Sequence, residues 1–254
     1  MTMIIISLLL LASLLPHLTF TAHVNVGIVN GNEAKPHSRP YMVSVQSNRR
    51  HICGGFLISN KFVLTAAHCW NREENLTVVV GAHDLREESD RIDVKSYIPH
   101  PDYKFSSFSN DIMLLRLQAR VCQNTDVEWI SLPKKEEDVE SETVCSVAGW
   151  GRLTTNGPAS VCLMEANVKI MNNPECSYRW KDINQYSLSH MMCTRGHGGS
   201  CLYDSGGPLV CGKTAVGITS FGYKDQCNSA EYPNVYTKIS PYLEWIDKII
   251  RNRK

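Results

Sequence analysis

Cys201-Leu202-Tyr203-Asp204-Ser205-Gly206-Gly207-Pro208 sets a serine between an aspartate and two glycines, shortly after a cysteine. Ser-Gly-Gly alone is often only a turn. A hydroxyl is a poor nucleophile at its free pKa, so a reactive Ser205 needs a base and a group to orient that base. The chain offers His68 in Thr65-Ala66-Ala67-His68-Cys69 and Asp111 in Asn110-Asp111-Ile112-Met113-Leu114-Leu115. Taken singly, a histidine or an aspartate is usually a core or surface residue. Together, in the order His, Asp, Ser, they supply a base, its orienting carboxylate and a nucleophile.

The composition narrows what else the chain can be. With 254 residues, 43% of them apolar, it can bury a large core as one compact unit or two small domains in contact, and disorder is excluded. A formal net charge of +1 gives no field for nucleic acid, so partners must be argued from the site. Residues 4–15 form an apolar run that stops at Pro16, short of the roughly 18 residues of a membrane span. It reads as the core of a secretory signal, with cleavage placed near Ala22. No later segment reads as a membrane span, and the mature protein is expected to be secreted or stored in a secretory granule.

Ten cysteines in such a chain point to disulfides. Neither a Cys-x-x-Cys nor a His-Glu-x-x-His spacing occurs, so no metal and no cofactor is expected. Asn75-Leu76-Thr77 is a glycosylation sequon suited to an exposed loop.

Short β-rich runs broken by turns cover residues 41–46, 56–58, 62–64, 77–80, 94–97 and 112–117. Residues 118–142 are a charged connection. The pattern then resumes at 144–148, 165–170, 208–211, 215–221 and 234–238. Two all-β units follow from this, the first at about 41–125 and the second at about 126–240. From Pro241 the period changes. Leu243, Ile246, Ile249 and Ile250 fall on one helical face, and Arg251, Arg253 and Lys254 sit where cations suit the helix dipole. Residues 241–254 therefore read as a docked terminal helix, with a heparin-binding tail as the sharper alternative. No internal sequence repeat is evident.

Ile28-Val29-Asn30-Gly31 resembles the mature start of chymotrypsin-like serine proteases. Glu33-Ala34-Lys35-Pro36-His37-Ser38-Arg39-Pro40-Tyr41-Met42 is similar to granzymes, mast-cell chymases and duodenase, and the likeness runs from residue 28 to 254. The order His, Asp, Ser also separates the chain from subtilisins and α/β-hydrolases. The resemblance implies an all-β fold of two six-stranded antiparallel Greek-key barrels with a C-terminal helix. It also implies a signal peptide at 1–22, a short propeptide at 23–27 and a secreted or granule-stored serine endopeptidase acting on peptides or proteins, with protein inhibitors as further partners.

Residue roles follow from the same likeness. Ser205, His68 and Asp111 would be catalytic, and the amides of Tyr203 and Ser205 would form the oxyanion hole. Freed Ile28 would pair with Asp204. Gly27 precedes the cut where trypsin-activated zymogens carry Lys or Arg, so an aminopeptidase, a dipeptidase or direct signal cleavage suits activation better than trypsin. The specificity pocket would be floored by Gly199 and lined by Ser200, Ser220, Phe221, Gly222 and Asn234. No carboxylate stands at that floor, so a medium-sized uncharged or polar side chain is expected before the scissile bond. The implied disulfides are Cys53 with Cys69, Cys145 with Cys211, Cys176 with Cys193 and Cys201 with Cys227. Cys122 and Cys162 have no assigned partner: they could pair together, pair with another chain or stay free.

Tyr203 departs from the family, which places Gly there. The alternative reading is therefore a weak or catalytically silent relative that acts by binding. A disulfide-rich structural domain would leave three catalytic motifs in order unexplained.

Overall fold

The computed structural model describes residues 28–135, 138–182, 186–223 and 225–252. The expected signal peptide and propeptide, 1–22 and 23–27, lie outside the described residues.

Six strands close the first barrel: β2 (Met42–Ser47), β3 (Arg50–Leu57), β4 (Phe62–Thr65), β5 (Leu76–Val80), β6 (Asp90–Pro99) and β7 (Met113–Leu117). Around the barrel they run β2-β3-β4-β7-β6-β5, all neighbours antiparallel. β4 and β7 are buried almost throughout, as their mostly apolar runs require, with Arg116 of β7 the half-buried exception. Arg91-Ile92-Asp93-Val94-Lys95 in β6 alternates outward charges with half-buried apolar residues.

The second sheet holds β8 (Val144–Gly149), β9 (Met164–Ile170), β10 (Met191–Arg195), β11 (Pro208–Cys211), β12 (Thr214–Phe221) and β13 (Val235–Lys238). Its order is β8-β9-β10-β13-β12-β11, and the pairing of β8 with both β9 and β11 closes it. Position for position this is the order of the first barrel. The chain thus contains the two six-stranded antiparallel barrels that the resemblance implied. A further short strand, β1 (Asn32–Glu33), pairs with the start of β9, on the edge that β10 pairs farther along.

Sequence reading missed β1, β10 and one helix. β10, Met191-Met192-Cys193-Thr194, is buried on both faces and so shows no alternation. The helix α1 (Asn173–Trp180) carries a cap signal that could have been used: Asn172 accepts from the Glu175 amide at 3.2 Å, and Pro174 stands in the first turn.

Two main clusters fill the barrels, the first running on into Val210, Ala215 and Ile218 of the second barrel. Val43, Phe56, Leu64, Val78 and Leu114 fill the first, and Ile28, Val147, Val168, Leu209 and Tyr236 the second. Ala34, Met42, Ala148, Trp150 and Leu163 form a separate cluster drawn from both. The terminal helix α2 (Leu243–Asn252) docks Ile246, fully buried, with Leu243, Ile249 and Ile250 onto the first core. Arg251 stays exposed, 3.4 Å from Asp247. Residues 253–254 lie outside the described residues. Asn75 is exposed just before β5, where a glycan would meet no neighbour in the core.

Candidate active site

His68 sits in the 3-10 turn Ala67–Cys69, which the Cys53–Cys69 disulfide ties to β3. Asp111 immediately precedes Ile112 and β7 and is fully buried. Its Oδ1 accepts from the His68 amide at 3.0 Å and its Oδ2 from His68 Nδ1 at 2.7 Å. Because a carboxylate only accepts, Nδ1 carries the proton and Nε2 keeps its lone pair toward the cleft. The Ser220 hydroxyl donates to the same Oδ2. Sequence reasoning had given Ser220 only as pocket lining; the contact adds a role in holding the carboxylate.

Ser205 comes from the other barrel, in the turn before β11. The turn is set by close approach: Gly206 has φ of +82°, and a Cβ there would fall 2.1 Å from Thr65 Oγ1 and 2.5 Å from the Gly54 carbonyl. Only glycine fits, so the motif's first glycine is dictated by contact with the first barrel. The Gly54 amide donates to the Ser205 carbonyl at 2.8 Å and fixes the two barrels at this point. His68 and Ser205 line one cleft of about 270 Å³ together with Phe108, Ser220 and Phe221, and no hydrogen bond joins the two side chains.

The amides of Tyr203 and Ser205 have no acceptor among the described residues, whereas those of Asp204, Gly206 and Gly207 are all bonded. Tyr203 has φ of +77°, so it takes the left-handed backbone that glycine favours. That conformation strains a residue with a side chain by about 1–2 kcal/mol. His51 helps hold it. Nε2 donates to the Tyr203 carbonyl at 3.0 Å, and Nδ1 lies 2.8 Å from the Ser44 hydroxyl, which can donate to it. Burial pushes His51 down to about 4, so the ring is neutral near pH 7. The Tyr203 ring projects into solvent, with the Arg152 guanidinium 5.9 Å from its centre.

Asp204 is buried against Gly149 and Gly151. It accepts from the amides of Gly151 at 2.8 Å and Cys201 at 2.9 Å, and no cation is hydrogen-bonded or ion-paired to it among the described residues. Burial pushes this carboxyl up to about 7, against the opposing pull of the two amides. Ile28 is fully buried in the same barrel, and Val29 is bridged to Gly199.

Ser200, Ser220, Phe221, Gly222 and Asn234 line the cleft, as does Cys227, expected there as a disulfide partner, and so do Leu202, Thr219 and Tyr223, which sequence reasoning had not placed in the pocket. Gly199, expected as the floor, is not on the lining. A Cβ on it would fall 2.6 Å from both Asn228 Oδ1 and Asn234 Oδ1, so two amide side chains cover it. Asn234 is itself pinned, donating to the Ser200 carbonyl at 2.9 Å. The chain joins Cys53 to Cys69, Cys145 to Cys211, Cys176 to Cys193 and Cys201 to Cys227, and leaves Cys122 and Cys162 unpaired.

Two closed antiparallel barrels of one strand order, with His68 and Ser205 on one cleft, have the architecture of the chymotrypsin-fold serine proteases. Residues 28–246 match the trypsin family, and the chain belongs to it. It is 42% identical to mouse granzyme B(G,H), covering 89% of this chain and 92% of that protein. It is also 42% identical to sheep mast cell protease 3 and to bovine duodenase-1, each over 89% of this chain and 90% of the relative. Among solved structures, neuropsin, a serine protease of mouse brain, superposes with a TM-score of 0.79 at 35% identity, covering 88% of this chain and all of that one.

Proposed function

We propose that this protein is a secreted or granule-stored serine endopeptidase. The observation that carries the reading is His68, hydrogen-bonded to the buried Asp111, lining one cleft with Ser205. Ser205 attacks the scissile carbonyl, and His68 Nε2 takes its proton and returns it to the leaving amine. Asp111 holds the tautomer and stabilises the imidazolium. The amides of Tyr203 and Ser205, without an acceptor among the described residues, suit the oxyanion, which develops charge only as the tetrahedral intermediate forms.

Primary specificity follows from Asn234, whose amide closes the pocket beneath Ser200 and Gly222. Among the described residues no carboxylate lines it. An arginine or lysine entering there would lose its hydration without gaining a partner, at a cost of several kcal/mol. Medium-sized uncharged or polar side chains are the expected substrates. A peptide library randomised before the scissile bond, run on the form beginning at Ile28, tests this. Dominant cleavage after Arg or Lys would overturn the pocket assignment, and no cleavage at all would favour a silent binding protein.

Tyr203 should affect large ligands more than small ones. Its amide already has a glycine-like φ, so Tyr203→Gly is expected to leave turnover of short amides unchanged. The same change should tighten protein inhibitors that extend past the scissile bond, because it removes an exposed ring. A rise in short-substrate turnover of about 10² to 10³, the worth of one restored oxyanion donor, would show that Tyr203 misdirects its amide instead.

A further inference from the structure

Away from the cleft, three chain segments meet beside the inter-barrel cluster. Leu163 donates its amide to the His83 carbonyl and Leu85 donates to Val161, both at 2.9 Å, while Asp84 bridges Cys162. Ala34 donates to the Leu163 carbonyl at 2.9 Å, and Glu33 of β1 stands opposite Met164 of β9. This ladder gathers a carboxylate oxygen of Glu33, a ring nitrogen of His83 and the sulfur of Cys162 within 4.8 Å of one another.

We propose that Glu33, His83 and Cys162 form a binding site for a divalent cation of the zinc class. The donor set is one sulfur, one nitrogen and one oxygen, the mixture that borderline-soft zinc takes and that calcium and magnesium do not. Zinc holds such ligands at about 2.0–2.3 Å, so tetrahedral edges are roughly 3.3–3.6 Å. The three donors lie within 4.8 Å of one another, so the thiol needs at most a small inward turn, while Glu33, whose side chain is 58% exposed, has room to draw back from its 2.8 Å contact with His83 to a ligand edge. The backbones that carry the ligands are already fixed to one another.

The local charges favour a cation. Glu33 and Asp84 both lie near the thiol, which burial first, and then these two carboxylates, hold above its ordinary value. Arg86 is ion-paired to Asp84, and its charge acts on the thiol in the opposite sense to the two carboxylates. A dication would offset the carboxylates and take the sulfur as thiolate. Asp84 Oδ2, 3.8 Å from Cys162 Sγ, or a water can supply the fourth position. The simpler reading is that His83 Nε2 and Glu33 Oε1, 2.8 Å apart, only staple β1 in place. That staple needs no thiol, which gives the test its discriminating variant. By contrast, the cluster of Cys53, His68 and Cys69 has both sulfurs in a disulfide and offers no thiolate.

Cobalt(II) is added to the full chain and its absorption recorded, with zinc as competitor. One cobalt per chain, with a thiolate charge-transfer band displaced by zinc, is the expected result. Cys162→Ser should abolish the band, and Cys122→Ser should leave it unchanged. His83→Gln should weaken binding by at least about 10-fold, the smallest loss expected even from disturbing a ligand's supporting contacts. Zinc should raise the thermal midpoint of the wild type and of Cys122→Ser but not of Cys162→Ser. The proposal falls if the band survives Cys162→Ser, if the wild type gives no band while Cys162 titrates as a free thiol, or if Cys162 is found in a disulfide. Should His83→Gln fail to fold, Cys162→Ser decides the matter alone.

Discussion

Ser205→Ala is expected to lower amide hydrolysis by about 10⁶-fold, the scale of losing the nucleophile from a working triad. The fold should survive. Ser205 is only partly buried and its side chain makes no hydrogen bond among the described residues, whereas its carbonyl, which accepts from Gly54, is kept. His68→Ala should cost about as much, and the double variant no more, because the two groups act as one unit. Asp111→Asn should cost less, about 10⁴-fold, by stabilising the wrong imidazole tautomer. It also disturbs a fully buried group that accepts from the His68 amide, His68 Nδ1 and Ser220. Single-turnover hydrolysis of a short peptide amide, read beside the thermal midpoint, checks all four variants. More than about 1% residual activity in Ser205→Ala would remove Ser205 as the nucleophile, since the triad logic leaves far less.

Motifs that must be local in the chain were legible before the structure. Cys201 to Pro208 can be read because the turn's backbone demands concentrate in one place, as the contact of Gly206 with Thr65 and Gly54 makes plain. Relations between distant segments were not. The two barrels share one strand order, yet their sequences show no repeat, because a buried strand asks only for apolar residues of about the right size. Asn228 was invisible as a pocket element: nothing near it in sequence says that its amide lies against Gly199. Ser220 was read by its pocket neighbours, and its bond to Asp111, which lies more than a hundred residues away, had no local sign. Glu33, His83 and Cys162 share the same difficulty, since a search for closely spaced ligands cannot find donors brought together by a ladder of three segments.

In the chain that retains residues 23–27, stability should fall as pH rises from about 4 to about 7, and Asp204 is the cause. The unfolded carboxyl titrates near 3.9, and burial raises the folded one to about 7. Below pH 4 both states hold the proton and the group has no effect. Between the two values the unfolded chain releases the proton while the folded chain keeps it, so each unit favours unfolding by about 1.36 kcal/mol, or about 4 kcal/mol over the window. Above pH 7 no further change comes from this group. In the proposed switch, cutting before Ile28 creates an ammonium in the barrel that encloses Asp204, and pairing brings the carboxyl's pKa down. The loss should then disappear in the form beginning at Ile28. Other carboxyls act in the opposite sense: Asp84, held down to about 2 by its hydrogen bonds from Arg86, is one. The profile is therefore read as the difference between the wild type and Asp204→Asn, by urea unfolding at several pH values in both forms. A fluorophosphonate probe should label Ser205 in the Ile28 form alone, and Asp204→Asn should weaken that labelling even after correct processing. Identical pH profiles in the two forms, together with equal labelling, would mean that Asp204 is a buried acid with no part in activation.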